Sequence, residues 1–181
     1  LDVLYNGREM KKLREAFLNG EEPEECNWCW REESAGIESF RMKYNSKFKL
    51  DYSDDNPMPQ TLEMKLSNVC NLKCRMCSPV ASSSIAKEMK VFNPYHVSNK
   101  ILSTDNESIF FEKILPGVSF IELTGGEPFY SEENRKLIEL ISDTKYSENI
   151  WLYITTNGMF HEPKILEKMK RYKKVTIAFS V

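Results

Sequence analysis

The stretch "CNLKCRMC" sets Cys70, Cys74 and Cys77 within eight residues. Thiolates are soft ligands suited to zinc or to iron–sulfur clusters. A closed zinc site or an ordinary four-cysteine cluster, however, takes four protein ligands. Three thiolates on one tight loop can hold three corners of a cubane and leave one iron open. An open metal position separates a reactive site from a structural one. The remaining cysteines, Cys26 and Cys29, are spaced C-x2-C. Joined to Cys74 and Cys77 they would make a four-thiolate zinc site, but 44 residues separate the pairs. Common zinc sites place about 15–20 residues there, and Cys70 would be left spare. Five clustered cysteines without a secretory signal argue for metal in a reducing compartment rather than a disulfide framework.

The elements that must position these thiols alternate. "TLEMKLS" reads as a strand and "PVASSSIAKEMKVF" as a helix with Pro79 at its start. "VFNPYHVSNKILSTDN" reads as loop, "ESIFFEKIL" as a short helix, "VSFIELT" as a strand and "SEENRKLIELIS" as a helix capped by Ser131. "NIWLYITT", "HEPKILEKMKRY" and "KVTIAFSV" continue as strand, helix and strand. Such alternation predicts a parallel sheet with right-handed crossovers. The cysteine loop follows strand one, "GGEP" (Gly125 to Pro128) strand two and "TNG" (Thr156 to Gly158) strand three. All three loops therefore fall on the carboxyl-end face, where such folds hold their sites. Upstream, Asn6 can cap a helix through "GREMKKLREAFL", "EEPEE" reads as solvated, and a helical stretch holds Cys26 and Cys29. Trp28 and Trp30 read as packing residues. Asp51 to Gln60, rich in turn formers, is the candidate linker.

Length and charge set wider bounds. The 181 residues allow one domain with an appendage, and 25 Lys+Arg against 27 Asp+Glu leave a net charge of −2. That balance gives no electrostatic case for nucleic acid or an anionic membrane. No run approaches the roughly 20 apolar residues of a membrane span. Basic residues from Lys168 to Lys174 read as a solvated helix end. Leu1 and Val181 both read as cuts in a longer protein, and the piece alone would be poorly soluble.

Taken together, Cys70-x3-Cys74-x2-Cys77 after a first strand and "GGEP" after a second resemble the radical S-adenosylmethionine (radical SAM) superfamily, over Thr61 to Val181. The resemblance implies an α/β fold, a partial (β/α)6 TIM-type barrel truncated after about four strands. It implies a [4Fe–4S] cluster on Cys70, Cys74 and Cys77, with the methionine end of S-adenosylmethionine on the open iron. One electron would cleave the sulfonium to methionine and a 5′-deoxyadenosyl radical that abstracts a substrate hydrogen. Gly125 and Gly126 would let backbone approach the ligand, Glu127 would accept from its ammonium, and Asn157 and Ser180 would lie near it. Met76 stands where the superfamily often has an aromatic residue against the adenine; it can pack on a ring or belong to the core.

The segment ending "EECNWCW" resembles the close of a SPASM/twitch module, which binds auxiliary iron–sulfur clusters. Cys26 and Cys29 are thus candidate auxiliary-cluster ligands, against buried structural or zinc cysteines. The expected organisation is a small, mainly helical extension over 1–57 and a core over 58–181. On the strands, Glu63, Lys65, Glu122 and Tyr153 would face a lumen, where substrate contact is one reading and a Lys65–Glu122 ion pair the plainer, preferred one; His96 and His161 read as surface residues. The expected protein is a cytoplasmic enzyme with an unidentified substrate, a peptide among the candidates, and an electron donor such as flavodoxin or ferredoxin. The competing readings are an iron–sulfur electron carrier and a zinc-stabilised interaction module.

Overall fold

A computed structural model describes residues 5–48, 58–89 and 107–180. The chain divides into two compact units, Leu1–Pro59 and Gln60–Val181. Most of the predicted linker (51–57), and the predicted loop at 91–106 with His96, lie outside the described residues.

The first unit is helical: α1 (Arg8–Leu18), a 3-10 turn (Glu24–Cys26), α2 (Asn27–Ser34) and α3 (Phe40–Lys47). Asn6 does not cap α1; Gly7 holds that position, and the Asn6 amide oxygen instead accepts from Arg14, 3.2 Å away. Trp30 ties these elements together: its indole N–H donates to the Pro23 carbonyl at 2.9 Å, and its ring meets Phe17 and the Arg41 guanidinium. Arg41 also pairs with Glu33, which accepts from Ser39 as well, and these bonds hold the Glu33 carboxyl below its ordinary range. Trp28, expected to pack, is 74% exposed and donates only to Glu32 one helical turn on.

The second unit carries β1 (Thr61–Met64), α4 (Ser83–Met89), a helical segment α5 (Glu107–Ile109) widening through Phe110–Ile114 and tightening at Leu115–Gly117, then β2 (Phe120–Leu123), α6 (Glu132–Ser142), β3 (Trp151–Thr156), α7 (Pro163–Met169) and β4 (Lys174–Phe179). All strand pairs are parallel, in the order β1-β2-β3-β4, an open sheet that is the arrangement of a partial TIM-type barrel. Helix α4 starts at Ser83 rather than Pro79, because Ser82 accepts from the Ile85 N–H and the Pro79 carbonyl is taken by Asn68. Ser131 caps α6 as its sequence predicts, accepting from Asn134.

Sheet period assigns the two faces. Ile121, Leu123, Leu152 and Ile154 are fully buried, as are Ile138 and Ile141 of α6, with Ile165 and Met169 of α7 beside them in the core. Each such side chain contributes about 1.5–3 kcal/mol, so this face seats the helices. On the other face Glu63, Glu122, Tyr153 and Thr176 stand in register across all four strands. Lys65 Nζ lies 3.2 Å from Glu63 rather than pairing with Glu122, since the strand ends at Met64 and Lys65 folds back onto its own chain. The basic run is likewise drawn into pairs: Lys168 and Arg171 both meet Asp143 at 2.6 Å, and hydrogen bonding from Lys168 holds that carboxyl below its ordinary range. His161 is exposed.

A candidate cofactor site at the carboxyl edge of the sheet

Three loops leave the carboxyl ends of β1, β2 and β3, and hydrogen bonds lace them together. The Thr124 N–H donates to Met64 at 3.1 Å, Gly126 to Ser67 at 3.1 Å and Glu127 to Val69 at 2.8 Å, so the β1–β2 pairing runs on past the strands into the cysteine loop. The glycines make this approach possible. Gly125 has φ +103°, and a Cβ there would lie 2.7 Å from the Ser67 carbonyl oxygen. A Cβ on Gly126 would collide with the Val69 backbone. The two glycines thus bring the second loop against the cysteine loop.

Glu127 is 1% exposed, and its carboxylate has three partners, all donors. Its Oε1 accepts from the Phe129 N–H (3.1 Å) and the Thr156 hydroxyl (2.6 Å), and its Oε2 from the Asn157 N–H (2.7 Å). The Glu127 carboxylate thus buckles the second loop to the third. Asn157 completes the bracing: its Nδ2 donates to Asn71 Oδ1 at 2.9 Å, across to the cysteine loop, and its Oδ1 accepts from Met159. Ser180 is exposed, and its N–H donates to Thr156 at 2.8 Å. Met76 is 98% exposed, so it is no part of the core.

Cys74 is exposed while Cys70 and Cys77 are half-buried. Burial pushes the Cys70 thiol up, the Leu72 N–H opposes it, and Glu127, Cys74 and Cys77 add to the rise. In the first unit burial likewise raises Cys26, helped by Cys29 and Glu25 and opposed by Arg41. Among the described residues no three Cys, His, Asp or Glu side chains gather as the shell of a single metal ion. The donor set is nonetheless that of a cluster seat: three thiols on one short loop at the edge where the sheet's loops converge, with no fourth cysteine in the second unit. Cys70, Cys74 and Cys77 fit a [4Fe–4S] cluster with one iron left open.

A family model for the radical SAM superfamily matches residues 64–181. Over 146 residues the chain is 28% identical to the radical SAM cyclopropyl synthase TigE of Paramaledivibacter caminithermalis, covering 75% of this chain and 29% of that protein. It is 27% identical over 121 residues to the GTP 3',8-cyclase of Aquifex aeolicus, covering 66% and 34%. The molybdenum cofactor biosynthesis protein 1 of Dictyostelium discoideum is 33% identical over 106 residues, covering 58% and 15%. The chain therefore spans about a third or less of the length of these curated relatives. It belongs to the radical SAM superfamily, a family of enzymes that use a [4Fe–4S] cluster and S-adenosylmethionine.

Cys70, Cys74 and Cys77, Gly125 to Glu127 and Asn157 come together at one edge, with Ser180 bonded to the end of β3. Cys26 and Cys29 belong to the other unit. Sequence reasoning missed Asn71 and Thr156 as braces, because their partners lie 86 and 29 residues away. It also passed over Ser82, Ser83 and Ser84 beyond their place in a helix.

Proposed function

We propose that the protein to which this chain belongs cleaves S-adenosylmethionine reductively and uses the resulting radical to abstract hydrogen from its substrate. The observation that carries this reading is the lacing of the three-cysteine loop to the Gly125–Pro128 loop by the Gly126 and Glu127 N–H groups. Cys70, Cys74 and Cys77 would hold the cluster. When bound, the reduced cluster would supply one electron to the sulfonium of S-adenosylmethionine, whose S–C5′ bond would break to leave methionine and a 5′-deoxyadenosyl radical able to take a hydrogen atom from a substrate C–H bond. The chain's residues do the positioning. Gly125 and Gly126 bring the second loop against the first, and Glu127 orders that loop where the methionine end would lie. Met76, wholly exposed beside Cys77, offers a soft side chain to the adenine. Asn157 and Ser180 border the same edge.

The substrate class we assign is a peptide or comparable macromolecule, on the likeness of the Cys26–Cys29 segment to SPASM/twitch modules; those two thiols would then serve an auxiliary cluster. A flavodoxin- or ferredoxin-type donor would supply the electron, in a reducing cytoplasm that keeps the five free cysteines reduced. Among the described residues no helix is long and apolar enough to cross a membrane. The test replaces Cys70, Cys74 and Cys77 with alanine in the full-length protein, reconstituted anaerobically. The low-potential [4Fe–4S] signal should disappear from the electron paramagnetic resonance spectrum, or fall to an auxiliary signal alone; its full persistence refutes the assignment.

A further inference from the structure

The three consecutive serines at the start of α4 all turn toward the cysteine loop. Ser82 Oγ donates to the Leu72 carbonyl at 3.0 Å. Ser83 Oγ accepts from the Cys70 N–H at 3.2 Å, and Ser84 Oγ donates to the Cys70 carbonyl at 2.8 Å. Beneath them the Ser83 N–H donates to the Asn68 carbonyl at 2.6 Å, and the Asn68 amide closes the loop by donating to Pro79 at 3.1 Å. Ser82 and Ser83 are buried. Serines at a helix start ordinarily cap that helix's own N–H groups; here only Ser82 does so, across 3.4 Å to Ile85.

The grip is one-sided. Both backbone groups of Cys70 and the carbonyl of Leu72 are held. Cys74 and Cys77 lie on a turn closed by one bond of their own, the Cys77 N–H to the Cys74 carbonyl at 3.0 Å. We infer that Ser82, Ser83 and Ser84 are positioning residues that hold Cys70 in its ligating position before a cluster arrives, so that Cys74 and Cys77 close onto a ligand already fixed. The inference rests on the reading of this loop as the cluster's seat. Its physical sense is preorganisation: a ligand whose backbone is already ordered loses less freedom on binding and is recaptured faster after release.

Two arms test it on the full-length protein, one of them independent of any cluster. In cluster-free protein, Ser83→Ala should speed amide hydrogen exchange at Cys70 about fivefold or more, the loss of one ordinary hydrogen bond. Exchange across Cys74–Cys77 should stay as in the wild type. In reconstituted protein, Ser84→Ala should speed iron loss to a ferrous chelator by a similar factor, and Ser84→Thr, which keeps the hydroxyl, should restore the wild-type rate. Tyr172→Phe, a loss of one hydrogen bond between the residues just past α7 and Ile138 of α6, serves as the stability control and should leave iron loss unchanged. Unchanged exchange at Cys70, or iron loss from Ser84→Ala no faster than from Tyr172→Phe, overturns the inference. A wild type that takes up no iron refutes the cluster reading instead, while the exchange arm still decides whether the serines hold the loop.

Discussion

Replacing Glu127 with glutamine changes little in size but removes one acceptor from a buried set of three donors. The amide oxygen can keep the Phe129 N–H and the Thr156 hydroxyl, which share Oε1. The new NH2 then faces the Asn157 N–H, donor against donor, at the position where Oε2 accepts across 2.7 Å. Losing a hydrogen bond to a charged group costs about 1.5–3 kcal/mol, and a buried unsatisfied donor belongs at the upper end of that range. In a unit the size of Gln60–Val181, each kcal/mol moves the midpoint by about 4 °C, so Glu127→Gln should lower Tm by roughly 10 °C. The assay is thermal and urea unfolding of cluster-free protein followed by circular dichroism. Thr156→Val and the double variant complete a cycle; partners this close should show a coupling of about 1–2 kcal/mol. If Glu127→Gln instead unfolds within about 0.5 kcal/mol of the wild type and only weakens S-adenosylmethionine binding, the carboxylate serves the ligand. The account of it as a buckle between two loops is then wrong.

Gly126→Ala and Gly125→Ser should both be damaging, because a Cβ at Gly126 meets the Val69 backbone and one at Gly125 meets the Ser67 carbonyl oxygen at a φ of +103°; each variant should lose cluster occupancy as the loops part, measured by iron content after reconstitution. Tyr172 is buried and donates to the Ile138 carbonyl at 2.9 Å, and burial, with the Asp143 charge behind it, pushes its phenol well above its ordinary value of about 10. Its neutral form is favoured by folding, so the stability it contributes is complete below about pH 10 and is lost as pH rises beyond that toward the folded value. Tyr172→Phe should cost about 1 kcal/mol at neutral pH and flatten the alkaline limb of a stability–pH profile; an unchanged limb would remove Tyr172 as its source.

Much of this arrangement is written locally. Ser131 three residues before Asn134 caps α6 because a serine hydroxyl at that spacing reaches the N3 amide. The alternation of "NIWLYITT" marks β3 because one face must be apolar and the other need not be. The three-cysteine spacing and "GGEP" carry the family. What the sequence left open is the competition among partners. Asn6 has a capping side chain, yet Arg14 claims it. Pro79 can begin a helix, yet Ser82 just beyond it provides the cap, and the Pro79 carbonyl serves Asn68. Lys65 is expected to reach Glu122 across the sheet, yet Glu63, two residues back on its own chain, takes it. Glu127 could serve a ligand or the protein, and only the placing of Thr156 and Asn157, some 30 residues on, shows the carboxylate enclosed by donors. Local signals fix caps and strands; long-range hydrogen bonds decide what the polar groups at the site do.

The most direct measurement is electron paramagnetic resonance on the full-length protein, anaerobically reconstituted and reduced with dithionite, with and without S-adenosylmethionine. An open iron on the Cys70, Cys74 and Cys77 cluster should be taken by the ligand, shifting the [4Fe–4S]⁺ spectrum on addition. A spectrum that does not change would mean the cluster carries electrons without binding the sulfonium ligand, which would contradict the proposed reaction.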